Sequence, residues 1–152
     1  LNAKCQLLNI YMNDAYTSAL FDVVKDTSVK YGYDLPETVE AYVVMLLASH
    51  VDKPDFLPDT FAHAFLKIKN PQQAKHLGDV CLFVSGVFPT IGKRKGLNRS
   101  YYQDIGSTSY EIVAEAIHPE LFMPLATHFD FLSEFIEVTV NSSKLTHSNL
   151  FR

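Results

Sequence analysis

The 152-residue sequence has no tryptophan, only two cysteines and only six glycines. Cys5 and Cys81 are too few for a disulfide framework, and Cys81 sits inside a strongly apolar run. Both read as free thiols of a reducing, cytoplasmic compartment, with Cys81 as a small core residue. No stretch approaches the roughly 18 consecutive apolar residues that a membrane span requires. The first ten residues, LNAKCQLLNI, lack the charged and long apolar regions of a signal peptide. An excess of positive charge is also missing. With 13 Lys and Arg against 17 Asp and Glu the formal charge is −4, whereas a general nucleic-acid binder carries a basic face.

What is present is ordinary for a globular domain: 47% hydrophobic and 20% charged residues. A chain of this length buries roughly two-thirds of its unfolded surface and needs no disulfide or metal to fold. Disorder, collagen-like repeats and a disulfide scaffold are excluded.

The hydrophobic pattern is helical almost throughout. Tyr16, Leu20, Val23, Val24, Thr27 and Tyr31 draw one stripe down a first helix, which Asn13 or Asp14 caps and Gly32 ends in a left-handed turn. Pro36 opens a second helix with the stripe Val39, Tyr42, Val43, Leu46, Leu47 and His50. A short third helix is expected from Asp59 to Lys69, burying Phe61, Phe65 and Ile68, with His63 semi-buried. Asn70-Pro71 starts a fourth helix that reaches about Val87, and a fifth runs from Asn98 or Ser100 to Ile117. His118-Pro119 begins the last, with Phe122, Leu125, Phe129, Leu132 and Ile136 inward and Pro124 marking a later start or a kink. The expectation is an all-α, single-domain bundle of about six helices over residues 1–152, with 1–12 and 142–152 as irregular ends.

Within the fourth helix Ala74, Gly78, Cys81 and Ser85 fall at spacings of 4, 3 and 4, a strip of small side chains on one face. Glycine costs about 1 kcal/mol against alanine in a helix interior, so Gly78 and Gly86 need the compensation of a closely packed neighbour. Gly106, Ser109 and Val113 of the fifth helix offer the matching surface. Asp79, beside Gly78 in this apolar helix, has to be paired, hydrogen-bonded or protonated. Its candidate partners are the cations of the next loop or the hydroxyls of Tyr101, Tyr102 and Tyr110.

The runs LGDVCLFVSGVFP (Leu77 to Pro89) and SYYQDIGSTSY (Ser100 to Tyr110), with the final HFDFLSEFIEVTV, resemble an uncharacterised group of bacterial helical proteins. Members of that group carry a Gly-Asp-x-x-Leu-Phe-x-x-Gly-x-(Phe/Tyr)-Pro helix end followed by a Tyr-Tyr helix. The resemblance covers about Leu77 to Val140. It implies a helical fold and a bacterial origin, and it attaches no activity.

Charge distribution is the best functional lead. Lys93, Arg94, Lys95 and Arg99 place four of the 13 cations within seven residues, in the loop TIGKRKGLNRS. From Ser100 to Ser143 there is then no Lys or Arg but seven acids: Asp104, Glu111, Glu115, Glu120, Asp130, Glu134 and Glu137. The loop precedes a helix N-terminus, which favours an anion, but its spacing matches no phosphate-loop or dinucleotide fingerprint. It therefore reads first as a solvated loop that pairs with acidic helices of its own or a neighbouring chain, and otherwise as a site for an acidic partner or a small anion.

Catalytic constellations are weak by comparison. Glu115 and His118 form a single Glu-x-x-His with Glu111 one turn earlier, where a carboxylate-bridged di-metal bundle needs two such elements. Asp59 and His63 have helical i, i+4 spacing with ordinary surface explanations. Ser85-Gly86 lacks a nucleophile elbow, and no histidine is selected as a base for Cys81. No metal or cofactor is implied. The leading expectation is a non-enzymatic module that self-associates as a homodimer or binds another protein. The alternative is a small-molecule-binding protein or enzyme with a pocket between the fourth and fifth helices, near Asp79, Ser85, Tyr101 and Tyr102, with an anionic ligand held by Lys93, Arg94, Lys95 and Arg99.

Overall fold

The computed structural model describes residues 15–49, 60–90 and 98–142, and these are all-α, with no strand among them. Seven helices follow in order: α1 (Ala15–Tyr31), α2 (Glu37–Ser49), α3 (Phe61–Leu66), α4 (Pro71–Val87), α5 (Arg99–Ala116), α6 (Pro119–Thr127) and α7 (Phe129–Ser142). None of the described helices is long and apolar enough to cross a membrane. The chain divides into two compact units, Pro54–Glu137 and a unit of Leu1–Lys53 with Val138–Arg152.

In the unit that holds α1 and α2, Leu20, Val24 and Thr27 of the expected stripe are buried, as are Val39, Tyr42, Val43, Leu46 and Leu47. Thr27 satisfies its hydroxyl on the Val23 carbonyl at 2.9 Å. Gly32 adopts φ +71° and ends α1 as its position implied, and the Tyr33 N–H bonds back to the Ser28 carbonyl at 3.0 Å, the long closing bond of a Schellman turn. Tyr31 departs from the stripe and is 48% exposed, because the glycine turn takes the chain away directly after it. Asn13, Asp14 and His50 lie outside the described residues. Glu40 of α2 is a buried carboxylate whose facing cation is Lys25, 3.6 Å away and half exposed.

The other unit is assembled around α4. Asn70 caps it by accepting the Gln73 N–H at 2.9 Å. Gln73 reaches back to the Lys69 N–H at 2.7 Å, a capping box displaced by one residue. Every residue from Leu77 to Gly86 is buried, so this stretch of α4 is enclosed on all sides, while Gln72, Gln73 and His76 in its first turns are exposed. The small-residue strip seats its neighbours directly. A methyl group placed on Gly78 would lie 2.7 Å from the Tyr110 ring, and one on Gly106 would lie 2.4 Å from the Phe129 ring and 2.9 Å from Cys81 Cβ. The expected crossing of α4 and α5 is therefore present. Gly86 differs, since its missing side chain is replaced by Ile136 of α7, not by a residue of α5.

Two element boundaries differ from expectation. α3 spans Phe61–Leu66 and not Asp59–Lys69, because Thr60 provides no side-chain cap and the far end closes in tight turns, with the Lys67 N–H on Ala64 and the Ile68 N–H on Phe65. That short helix buries Phe61 and places His63, two residues on, on its exposed side, so His63 is not semi-buried. The expected last helix is two, α6 and α7, which makes seven helices among the described residues where about six were expected. Pro124 lies inside α6 with no N–H to give, and regular helix lapses at His128 one turn later.

The substitution Gly106→Ala sets the gain of a better helix former, about 1 kcal/mol, against overpacking of a fully buried ring, which costs about 1–3 kcal/mol. Overpacking is expected to win, lowering stability to urea unfolding by up to about 2 kcal/mol with the slope of the transition unchanged.

Candidate functional site

The residues singled out by the sequence do not gather into one site. They fall into three separate sets of contacts, each built on α4 or α5.

The first is centred on Asp79. Gly78 leaves room for the Tyr110 ring to lie across α4, and the same tyrosine donates its hydroxyl to Asp79 Oδ1 at 2.7 Å. Lys75, one turn earlier, donates to Asp79 Oδ2 at 2.9 Å. Tyr110 is fully buried, with Phe122 and Phe129 at ring-centroid distances of 6.0 and 6.1 Å. Of the partners expected for Asp79, Tyr110 is one that the described residues supply. Lys75, of the same helix, is a second, not among those expected, brought alongside by i, i+4 spacing.

The second is the meeting of α4, α5 and α7 at Ser85. Its hydroxyl donates to the Leu82 carbonyl at 3.1 Å and accepts the Ser133 hydroxyl at 2.9 Å. Arg99 donates to the Ser85 carbonyl at 3.2 Å and to the Glu137 carboxylate. Ser85 carries one of the last four carbonyls of α4, which have no partner inside the helix, and a guanidinium there also complements the negative end of the dipole. Arg99 is thus held by two groups of its own chain. Lys93, Arg94 and Lys95 lie outside the described residues. The start of α5 is closed by Asn98, which accepts the Tyr101 N–H at 3.1 Å and the Ser100 hydroxyl at 2.6 Å.

The third is aromatic. Phe61, Tyr101 and Tyr102 meet edge to face, with centroids 5.0 Å apart for Phe61–Tyr102 and 5.5 Å for Tyr101–Tyr102. Tyr101 takes the Ala62 N–H on its hydroxyl at 3.1 Å, supplying the partner that Thr60 does not give the first turn of α3. Tyr102 is buried and its hydroxyl has no hydrogen-bond partner among the described residues. Burial above all, then the neighbouring Cys81 and Tyr101, pushes the Tyr102 phenol above its ordinary range. Cys81 is fully buried and desolvation raises its thiol strongly, which leaves it a core residue without thiolate character.

No group of three or more His, Cys, Asp and Glu residues is arranged to hold a metal among the described residues. Glu111, Glu115 and His118 are all exposed. His118 stands at the start of α6 with φ +44°, its Nδ1 3.2 Å from Glu120 Oε1. The Glu120 carboxyl is held below the usual range by backbone N–H at the helix start and by His118. Asp59 lies outside the described residues. Ser133 was missed from sequence as a partner, whereas Glu137 is one of the acids with which the loop cations were expected to pair. The signal for Ser133 was there: it falls on the inward stripe of α7 between Phe129 and Ile136, where a polar side chain has to find a bond.

Two identical changes should act in opposite directions. Tyr110→Phe leaves the Asp79 carboxylate short of a donor and is expected to cost about 1–3 kcal/mol. Tyr102→Phe removes an unpaired buried hydroxyl and is expected to be neutral or stabilising by up to about 1 kcal/mol, both read from chemical denaturation. Cys81, in a Cys5→Ser background, is expected to resist alkylation at about pH 8 in the folded protein and to react only after unfolding in guanidinium.

The chain matches no protein-family model, no curated protein and no solved structure, so its function is drawn from its own residues.

Proposed function

We propose that the chain is a non-enzymatic helical module that works by protein–protein association, its first partner being a second copy of itself. The observation that carries this reading is the exposed charge of α5, α6 and α7. Asp104, Glu111, Glu115, Glu120, Asp130 and Glu134 all face solvent, and Ser100–Ser142 contains no Lys or Arg to neutralise them. Carboxylates so distributed make the local potential negative and recruit a complementary, cationic surface. The same sequence supplies cations in a single block at Lys93, Arg94 and Lys95.

The internal bonding of the other candidates supports the same reading. Asp79, Ser85, Tyr101 and Arg99 each hold two helices, or two turns of one helix, in place. Along the α4–α5 crossing, where a ligand pocket was the competing expectation, the space beside Gly78 and Gly106 is filled by Tyr110, Phe129 and Cys81.

Association through opposite charges weakens as salt screens them. Sedimentation velocity on the full chain is expected to show a dimer at about 0.05 M NaCl whose dissociation constant rises at least about tenfold by about 0.5 M. A mass independent of salt and concentration would remove the basis of this reading.

A further inference from the structure

We infer that the seat of Phe61 against Tyr101 and Tyr102 is a binding site for a small neutral ligand that carries an aromatic ring and a hydrogen-bond acceptor. In the free protein Phe61 itself is the occupant. The inference is independent of the association reading and rests on a hydroxyl that the fold buries without using. Tyr102 is 3% exposed, and its Oη has no hydrogen-bond partner among the described residues. A phenylalanine there would fill nearly the same volume without leaving a polar atom dry.

The surroundings of that hydroxyl define what would satisfy it. Phe61 stands edge to face with both tyrosines, its ring centroid 5.0 Å from that of Tyr102 and 6.4 Å from that of Tyr101. The Tyr102 phenol is close enough to feel the charge state of the Tyr101 phenol. Tyr101 in turn is fixed on the Ala62 N–H, one residue beyond Phe61. Against this pair of phenols Phe61 presents only hydrocarbon. Burial keeps the Tyr102 phenol protonated, so it offers an O–H donor and no charge. A bare ring repeats what Phe61 already gives, whereas a ring bearing a carbonyl oxygen adds the missing bond. An ionised ligand is disfavoured by the cost of stripping its water in so enclosed a seat.

Phe61 is also an occupant that can be displaced. The helix that carries it, α3, has six residues, well under the roughly 12–15 that an isolated helix needs to hold together. Phe61 is the one residue α3 buries, and Ala62, His63 and Leu66 face solvent. Thr60 gives no side-chain cap, so the first turn leans on the exposed bond from Ala62 N–H to Tyr101 Oη at 3.1 Å. Lifting α3 releases chiefly that bond and one buried ring, a local opening of the inexpensive kind that ligand-binding segments show. The incoming ring takes over the contacts with Tyr101 and Tyr102. The α4–α5 crossing keeps its packing, since the spaces beside Gly78 and Gly106 are filled by Tyr110, Phe129 and Cys81.

The test uses two probes of matched shape on the full chain: acetophenone, which has the acceptor, and α-methylstyrene, which has a methylene in its place. Binding is followed by titration of the backbone amide NMR shifts. The wild type is expected to prefer acetophenone by about tenfold. The Ala62 amide is expected to shift and to exchange faster with solvent as its bond to Tyr101 breaks. Tyr102→Phe is expected to keep the fold and to bring the two probes within about twofold of each other. Phe61→Leu removes the competing ring and is expected to tighten both probes by about threefold or more. Acetophenone that leaves Ala62 unmoved up to its solubility limit overturns the site. So does a preference for acetophenone that persists in Tyr102→Phe, or equal binding of the two probes by the wild type. Probe binding that is weaker in Phe61→Leu than in the wild type overturns the role of Phe61 as the displaced occupant. None of these readings depends on dimerisation, so their failure leaves the association reading standing.

Discussion

The close approach of α4 and α5 depends on side chains that are missing. Gly78 and Gly106 each give up about 1 kcal/mol of helix propensity, and in return the rings of Tyr110 and Phe129 settle where a methyl group would clash. Both rings are fully buried and lie 6.1 Å apart. The rest of the surrounding core takes its position from them. Phe122 of α6 packs against Tyr110 with its ring tilted by 42°, and Phe129 brings in the start of α7. Farther along α4, Gly86 admits Ile136 by the same means. Dispersion and apolar burial do most of the stabilising, since a core of this density loses contacts with any change of shape.

Polar groups inside this core fix the arrangement more than they strengthen it. A buried hydrogen bond contributes only about 1 kcal/mol net, but leaving either partner unpaired costs more. The Tyr110–Asp79 and Ser133–Ser85 bonds therefore select one rotation of each helix about its axis. Arg99 does the same at the edge, where its guanidinium reaches the end of α4 and Glu137 of α7 from the first residue of α5. These are the residue types that a catalytic site would use. Here the bonds of Asp79, Ser85 and Arg99 run to groups of the same chain.

Much of the helical architecture follows from local rules that act within one or two turns. Asn70-Pro71 and Asn98 start helices because a side-chain oxygen beside free N–H groups stabilises a helix wherever it occurs. Gly32 ends one because only glycine adopts φ +71° without strain. The apolar residues picked out in α2 and α4 are buried, although in both helices residues off the stripe are buried as well. Departures occur where local signals are evenly balanced. α3 is too short and too poorly capped to hold its expected ends, and regular helix lapses at His128 even though its N–H reaches the Pro124 carbonyl at 2.9 Å. His63 was misplaced for a related reason, since two flanking phenylalanines indicate burial only when the helix phase is known.

By itself, then, the sequence determined the all-α class, most helix boundaries, the small-residue strip and the separation of cations from carboxylates, because each is set by residues close together in the chain. Tertiary structure alone decided which hydroxyl reaches Asp79, that Gly86 faces α7 and not α5, and that Arg99 turns to Glu137 38 positions away. Those choices depend on helix rotation and crossing geometry, which many residues fix jointly through packing. No short motif encodes them, and a periodic pattern states which face of a helix is inward without stating what it meets there.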